Sequence, residues 1–427
     1  MSILLDNYRK VGDGITSLKE ETVKMEEATK DAVVKPFNIT FLSYCPIEAK
    51  QKEGKTPFWK ITKPTIEDFL NGSPLPTGTV PNEFFGSEEL LEEVKKTSGL
   101  CLLIDGRLYI VSTIAIPTFT LRAEVKGDMT IQVNNVVRDM HLADAVYRKN
   151  EDIHLVYREE EIGGVTVRKV FAGLGSAYKL IPQTIIANSV EKLSEDGTMG
   201  APVVSSFEID HGYTSAHVIL PEIGEEIAEE YKLSGEVIPG LYLSTSDIGQ
   251  SSVIIRGVYN KGASTVITDE VVIKHVGKNL TPEVILGLAD EKIFSSIRKL
   301  PEALAELMGT EVMNYSSLDL SKPKDQAKNK KAVLKVISEE LKRVCREAKV
   351  SGKKEKELLE CLEAEINEEL CYTYYDIAMI FMGVPARITG LDRDTVARLQ
   401  KACGQTPYKL SKKPATADEE EIALLPA

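Results

Sequence analysis

The stretch LCLLIDGRLYIVS (100–112) decides the fold class. Two apolar runs flank Asp105-Gly106, a dipeptide that favours a two-residue type I′ hairpin turn because both central residues take positive φ. The pattern recurs downstream. IHLVYR (153–158) and VTVRKVF (165–171) alternate around Gly163-Gly164, and PVVSSFEI (202–209) and YTSAHVIL (213–220) meet across Asp210-His211-Gly212. GLYLS (240–244), SSVIIRGV (251–258) and STVITDEVVIKH (264–275) read as three further strands, and FNITFLSY (37–44) and TFTLRAEV (118–125) alternate likewise. Strands linked mainly as hairpins point to α+β rather than doubly wound α/β. The expectation is a mixed, mainly antiparallel sheet over residues ~100–275, with flanking helices and a C-terminal helical bundle.

Helical periodicity brackets and follows the strands. The first thirty-five residues read as one charged amphipathic helix that packs loosely or on a partner, and Pro- and Gly-rich residues 62–88 read as loop. Short helices are expected over Glu88–Lys96, 134–149, 182–193 and 220–233. After Thr281 the helical pattern dominates, with a break expected at Pro301 and a basic linker or helix entry at 321–331. Val333, Leu334, Ile337, Leu341, Val344 and Cys345 then form a stripe at helical spacing, and Leu358, Leu359, Leu362 and Ile366 form another. Asp392 and Gly404 suit the N-cap and the C-terminal end of a last helix. The chain divides into an N-terminal helix and loop region (1–97), an α+β core (98–280), a helical region (281–410) and an acidic tail (411–427).

Composition narrows the compartment and the partners. The N-terminal apolar residues give way at once to Asp6, Arg9 and Lys10, unlike a signal peptide, and no apolar run approaches the ~20 residues that span a bilayer. The six cysteines form no C-x-x-C pair and read as buried free thiols of a reducing cytoplasm. A net charge of −13 disfavours a surface coated in nucleic acid but leaves room for one basic patch.

No catalytic constellation stands out, and no cofactor or metal is implied. His211 and His217 lie six apart across a turn, with no His-x-x-x-His and no nearby cysteine. GLGSAYK (173–179) lacks phosphate-loop spacing and reads as a turn leaving a strand; STSDIGQSS (244–252) lacks a nucleophile elbow and reads as a hairpin loop. The basic set is more suggestive. Lys328, Lys330 and Lys331, then Lys342, Arg343 and Arg346, form a positive cluster in a negative chain, flanked by Lys322, Lys324, Lys335, Lys349, Lys353, Lys354 and Lys356. Such a cluster suits phosphate contact. The competing reading is a solvated helix face offset by Glu339, Glu340 and Glu347. Tyr157, Arg158, Arg168 and Lys169 offer a second cationic and aromatic surface of the kind single-strand binders use.

Three stretches carry a family resemblance: FAGLGSAYKLIPQTIIANSVEKLSEDG (171–197), PGLYLSTSDIGQSSVIIRGVYNKG (239–262) with VVIKHVGKN (271–279), and YTYYDIAMIFMGVPARITGLDRDTVARLQKACG (372–404). They resemble the phage- and plasmid-encoded family called domain of unknown function 932, over about residues 130–404. That family follows its strand pair with an Arg-x-x-Cys-x-Asn-Gly stretch; here Val258–Gly262 carries no cysteine. The resemblance implies a mobile-element origin and life in a bacterial cytoplasm, without an assigned activity.

Two functions are therefore expected. One is a nucleic-acid-binding accessory of replication or recombination, a single-strand binding or annealing protein, with Lys328, Lys330, Lys331, Lys342, Arg343 and Arg346 on the nucleic acid. The other is a self-assembling phage structural protein of shell or capsid type, which would be a homo-oligomer found in the virion. An enzyme is the least favoured reading.

Overall fold

The structure, a computed structural model, describes residues 2–46, 53–73, 77–97, 99–125, 135–197, 199–233, 237–274 and 280–412. It is α+β as expected, but its strands form two sheets rather than one, and the eight-stranded sheet draws four of its strands from before residue 100. One sheet has six antiparallel strands in the order β1 (Arg9–Gly12), β10 (Val203–Asp210), β11 (Thr214–Ile219), β12 (Val237–Thr245), β13 (Val253–Lys261) and β14 (Ser264–Ile273). The other has eight, in the order β2 (Thr29–Val34), β8 (Ile153–Ile162), β9 (Val165–Gly175), β7 (Arg107–Val111), β6 (Leu100–Ile104), β3 (Ile39–Tyr44), β4 (Lys55–Ile61) and β5 (Thr77–Pro81). Only β7 and β9 pair in parallel among these, which makes the eight-stranded sheet mixed. The hairpins form as their turns dictate, with Asp105, Gly106, Gly163 and Gly164 all at positive φ.

The helices are α1 (Ile15–Ala28), α2 (Lys63–Leu70), α3 (Glu88–Lys96), α4 (Ala115–Arg122), α5 (Asn135–Lys149), α6 (Thr184–Asp196), α7 (Pro221–Tyr231), α8 (Pro282–Ala289), α9 (Ser295–Met308), α10 (Pro323–Ala348), α11 (Gly352–Ala364), α12 (Tyr374–Gly383), α13 (Arg393–Gly404) and α14 (Thr406–Leu410). One face of the eight-stranded sheet buries Phe41, Leu102 and Leu155 against Met140 and Val146 of α5 and Phe119 of α4. The larger core runs from the six-stranded sheet into the C-terminal helices, where Val333, Ile337, Leu341 and Val344 of α10 are buried. Each such side chain contributes about 1.5–3 kcal/mol.

Several expectations are corrected. The first thirty-five residues are not one helix: β1, α1 and β2 follow in turn, and Ile3, Leu4, Leu5 and Tyr8 are buried. Residues 62–88 are not loop. Pro64 lies in the first turn of α2, and Pro81 ends the edge strand β5; both are places where a missing N–H costs nothing. Pro74 and Pro76 lie outside the described residues. TFTLRAEV belongs mostly to helix α4, where the Thr118 and Thr120 hydroxyls donate to the Ala115 and Pro117 carbonyls. The helix does not break at Pro301. The orphaned carbonyl of Ile297, four residues earlier, accepts a 2.6 Å bond from the buried Tyr259 hydroxyl, and the irregularity falls instead on a π turn at Asp290–Phe294. Of the two readings of residues 321–331, helix entry holds, since α10 starts at Pro323. His275 and residues 413–427 of the acidic tail lie outside the described residues.

Candidate nucleic-acid interface and the joint behind it

Helix α10 presents the basic set. At 100° per residue, Lys324, Lys328, Lys331, Lys335, Lys342 and Arg346 fall within one narrow sector, opposite Val333, Ile337 and Val344. All but the half-buried Lys335 are exposed. Lys324, Lys328, Lys331, Lys342 and Arg346 form no ion pair or hydrogen bond with the described residues through their side chains. The row from Lys324 to Arg346 is about 33 Å long at 1.5 Å per residue.

Two expected members leave this row. Lys330 bonds Glu368 at 2.9 Å. Arg343 is half-buried: it donates to Glu340 (3.0 Å), Glu347 (2.7 Å), the Ala402 carbonyl (2.9 Å) and the Thr406 hydroxyl (3.0 Å). Burial opposes its charge, but Glu340 and Glu347 prevail and hold the guanidinium pKa above its ordinary value. Arg343 thus fastens α10 to α13 and α14.

The second expected cationic surface does not exist as one. Arg158 and Lys169 are each 1% exposed and lie where the two sheets meet. Arg158, on β8, donates to both oxygens of Asp247 at 3.1–3.2 Å and to the His211 carbonyl at 3.2 Å; a further short bond joins it to His211 Nδ1. His211 Nε2 lies 2.6 Å from the Leu5 carbonyl, which places the ring proton on Nε2 and leaves Nδ1 as the acceptor. Burial first, and then Arg158, push the His211 pKa down to about 3, so the ring is neutral. Phe171 stacks on His211 at 4.1 Å and lies under the Arg158 guanidinium at 4.5 Å. Lys169 pairs with Asp6 at 2.7 Å and with Glu93. Burial pushes the Asp6 carboxyl up, but Lys169, Ser112 and Thr113 outweigh it and the net shift is downward.

The two stretches that read locally as turns supply this joint. STSDIGQSS contributes Asp247, and the hydroxyl of Tyr178, in GLGSAYK, donates to the Asp247 carbonyl at 2.9 Å. Nothing in the local sequence marks Asp247 or Asp6, whose partners lie far along the chain. With both ring nitrogens engaged, His211 has no free position for a metal. Cys45, Cys101, Cys345 and Cys403 are buried free thiols; Cys361 and Cys371 are free but exposed, against expectation, because Cys361 lies on the solvent side of α11. No group of side chains among the described residues could hold a metal ion, and no described helix is long and apolar enough to cross a membrane.

The end of the STSDIGQSS loop also lines a polar cavity of about 230 Å³, formed with Asp210, Tyr213, Gln250, Arg256, Arg393 and their neighbours. Sequence reading missed it, because its residues come from three separate segments.

No family model matches the chain, and neither a curated protein nor a solved structure shows significant similarity to it. The resemblance to domain of unknown function 932 rests on the quoted motifs alone.

Proposed function

We propose that the protein binds nucleic acid through the outer face of α10, as an accessory of replication or recombination encoded by a mobile element. One observation carries this reading: five exposed basic side chains lie in a row on a single helix face, unpaired among the described residues, in a chain of net charge −13. Solvated helix faces usually alternate charge signs, so that neighbouring turns support each other. Here that support goes to Lys330 and Arg343, while Lys324, Lys328, Lys331, Lys342 and Arg346 are left to an external partner. Lysine meets phosphate as a point charge, so the contact is largely blind to sequence. Five neutralised phosphates on a single strand give a log–log salt slope of about −3.5. Fluorescence anisotropy with labelled single-stranded DNA, duplex DNA and RNA across a salt series tests this. A flat salt response, or no binding at low salt, removes the reading.

The structural alternative has its own observation. β1 and β2 each form the open edge of a sheet, with Val11 and Val33 more than half exposed on them. Edges of this kind invite pairing with another copy. Light scattering on the purified protein decides: a monomer at micromolar concentration excludes the shell reading.

A further inference from the structure

The polar cavity holds opposite charges that do not neutralise each other. The Arg393 guanidinium, at the first turn of α13, lies 3.4 Å from the centre of the Tyr213 ring. One of its nitrogens reaches the Tyr242 hydroxyl at 3.3 Å, and the remaining donors have no partner among the described residues. Tyr213 and Tyr242 are hydrogen-bonded to each other through their hydroxyls, which holds the plane of the stack. Arg256 lies over Tyr242 at 5.4 Å and keeps a 3.3 Å bond to Glu270. Asp210 accepts the Gly212 N–H on Oδ1 at 2.8 Å, and the Tyr213 backbone also acts on its carboxyl. Burial, together with the nearby Glu208, raises the Asp210 carboxyl pKa although Arg393 acts to lower it. Asp210 and Arg393 influence each other electrostatically but do not come within ion-pair distance. The space between them suits a ligand that donates on one edge and accepts on the other.

The lining limits the class of that ligand. Asp210 and Asp394 beside two guanidiniums oppose a simple anion. About 230 Å³ is below the ~300–1,000 Å³ of sites for drug-sized molecules. The in-plane donors that Arg393 leaves unpartnered among the described residues suit the acceptor edge of a small planar heterocycle. We propose that this cavity binds a guanine base. Guanine places two adjacent donors, N1–H and the N2 amine, on one edge, matching a carboxylate. Its O6 and N7 acceptors lie on another, matching arginine. Adenine and cytosine would turn a ring nitrogen lone pair towards Asp210, and uracil would offer one donor between two acceptors. The base could belong to a free nucleotide or to a single strand. Only the second case rests on the nucleic-acid reading of α10.

Calorimetry on the full chain separates the possibilities. Guanosine monophosphate should bind at least about tenfold more tightly than the adenosine, cytidine and uridine monophosphates, because each competitor sets a lone pair against the half-buried Asp210 carboxylate. Inosine monophosphate, which lacks the N2 amine, should lose about fivefold or more on the unaltered protein, so this arm does not depend on any variant folding. Asp210→Asn and Arg393→Gln should abolish the guanine preference with an unchanged melting temperature. Oligothymidylate with one internal guanine, compared with oligothymidylate alone, reports the strand arm. A preference seen only for the free nucleotide assigns the site to mononucleotides, and a preference seen only in the strand assigns it to nucleic acid. Reversing the charges on α10 should leave mononucleotide binding intact, so failure of the α10 reading and failure of this one are told apart. Equal affinity for all bases, or no binding of any guanine probe at millimolar concentration, overturns the proposal.

Discussion

Arg158 and Arg343 are the same chemical group as Arg346, yet the first two are committed inside the protein while Arg346 faces water. At the joint between the sheets, every cation has a carboxylate partner from a distant part of the chain: Arg158 has Asp247, and Lys169 has Asp6 and Glu93. On the outer face of α10, five cations point to solvent with no partner among the described residues. A buried charge must be paired because its desolvation is costly, whereas an exposed one can remain available at little cost. Pairing, rather than the density of lysine and arginine in the sequence, therefore separates charges that hold the fold from charges that can serve a partner.

The largest effect should come from the joint. Arg158→Ala leaves Asp247 buried without its cation and should destabilise the fold by about 3–5 kcal/mol in denaturant unfolding. Arg158→Met combined with Asp247→Leu should recover much of that loss, though not all, because His211 Nδ1 still loses its donor. If the single variant unfolds like the parent, the joint is not a structural element.

Arg343 comes next. Arg343→Glu sets a third carboxylate against Glu340 and Glu347 and frees the Ala402 carbonyl. The expected loss is roughly 2–3 kcal/mol, below that of a fully buried pair. Its neighbour Lys342→Glu, on the exposed row, should stay within about 0.5 kcal/mol. Equal melting temperatures for the two variants would erase the contrast between the faces of α10.

His211 sets a pH dependence. Its folded pKa of about 3 lies below the ordinary value of 6.5, so between these limits the unfolded chain binds a proton that the native chain refuses. Stability is therefore fully present above pH 6.5 and falls as the pH drops towards 3, by at most about 1.4 kcal/mol per pH unit from this group. His211→Gln can keep both bonds without titrating, and its stability curve should be flatter across that window. A curve parallel to that of the parent would contradict the neutral buried ring.

The smallest effect on stability, and the sharpest on binding, belongs to the outer row. Lys324, Lys328, Lys331 and Lys342 changed together to Glu should shift the melting temperature by only a few degrees while abolishing salt-sensitive affinity for nucleic acid. Loss of binding with a shifted melting temperature of ten degrees or more would instead point to a damaged fold.

What the sequence makes legible is what is local. The turns at Asp105-Gly106 and Gly163-Gly164 and the stripe on α10 follow from adjacent residues and a fixed period, and they stand as read. β1 and β2 escape notice because RKVG and TKDAVV are short and each carry adjacent charges near the start rather than an apolar alternation; their partners, β10 and β8, make them strands. Arg158 and Lys169 look like surface charges because Asp247 lies 89 residues from Arg158, and Asp6 lies before β1, far from Lys169 in the sequence. The Tyr213–Arg393 cavity is hidden for the same reason, being assembled from a turn, a loop and a helix start.

The threading of β1 into one sheet and β2 into the other also governs how the chain is made. β1 pairs Arg9 with Asp210, and β2 pairs Thr29 with Arg158, so both strands leave the ribosome long before their partners exist. At about 5–20 residues per second, β1 waits roughly 10–40 s for β10. During that interval the apolar Ile3, Leu4 and Leu5 are unsheltered, so the start of the chain depends on strands made much later for its protection.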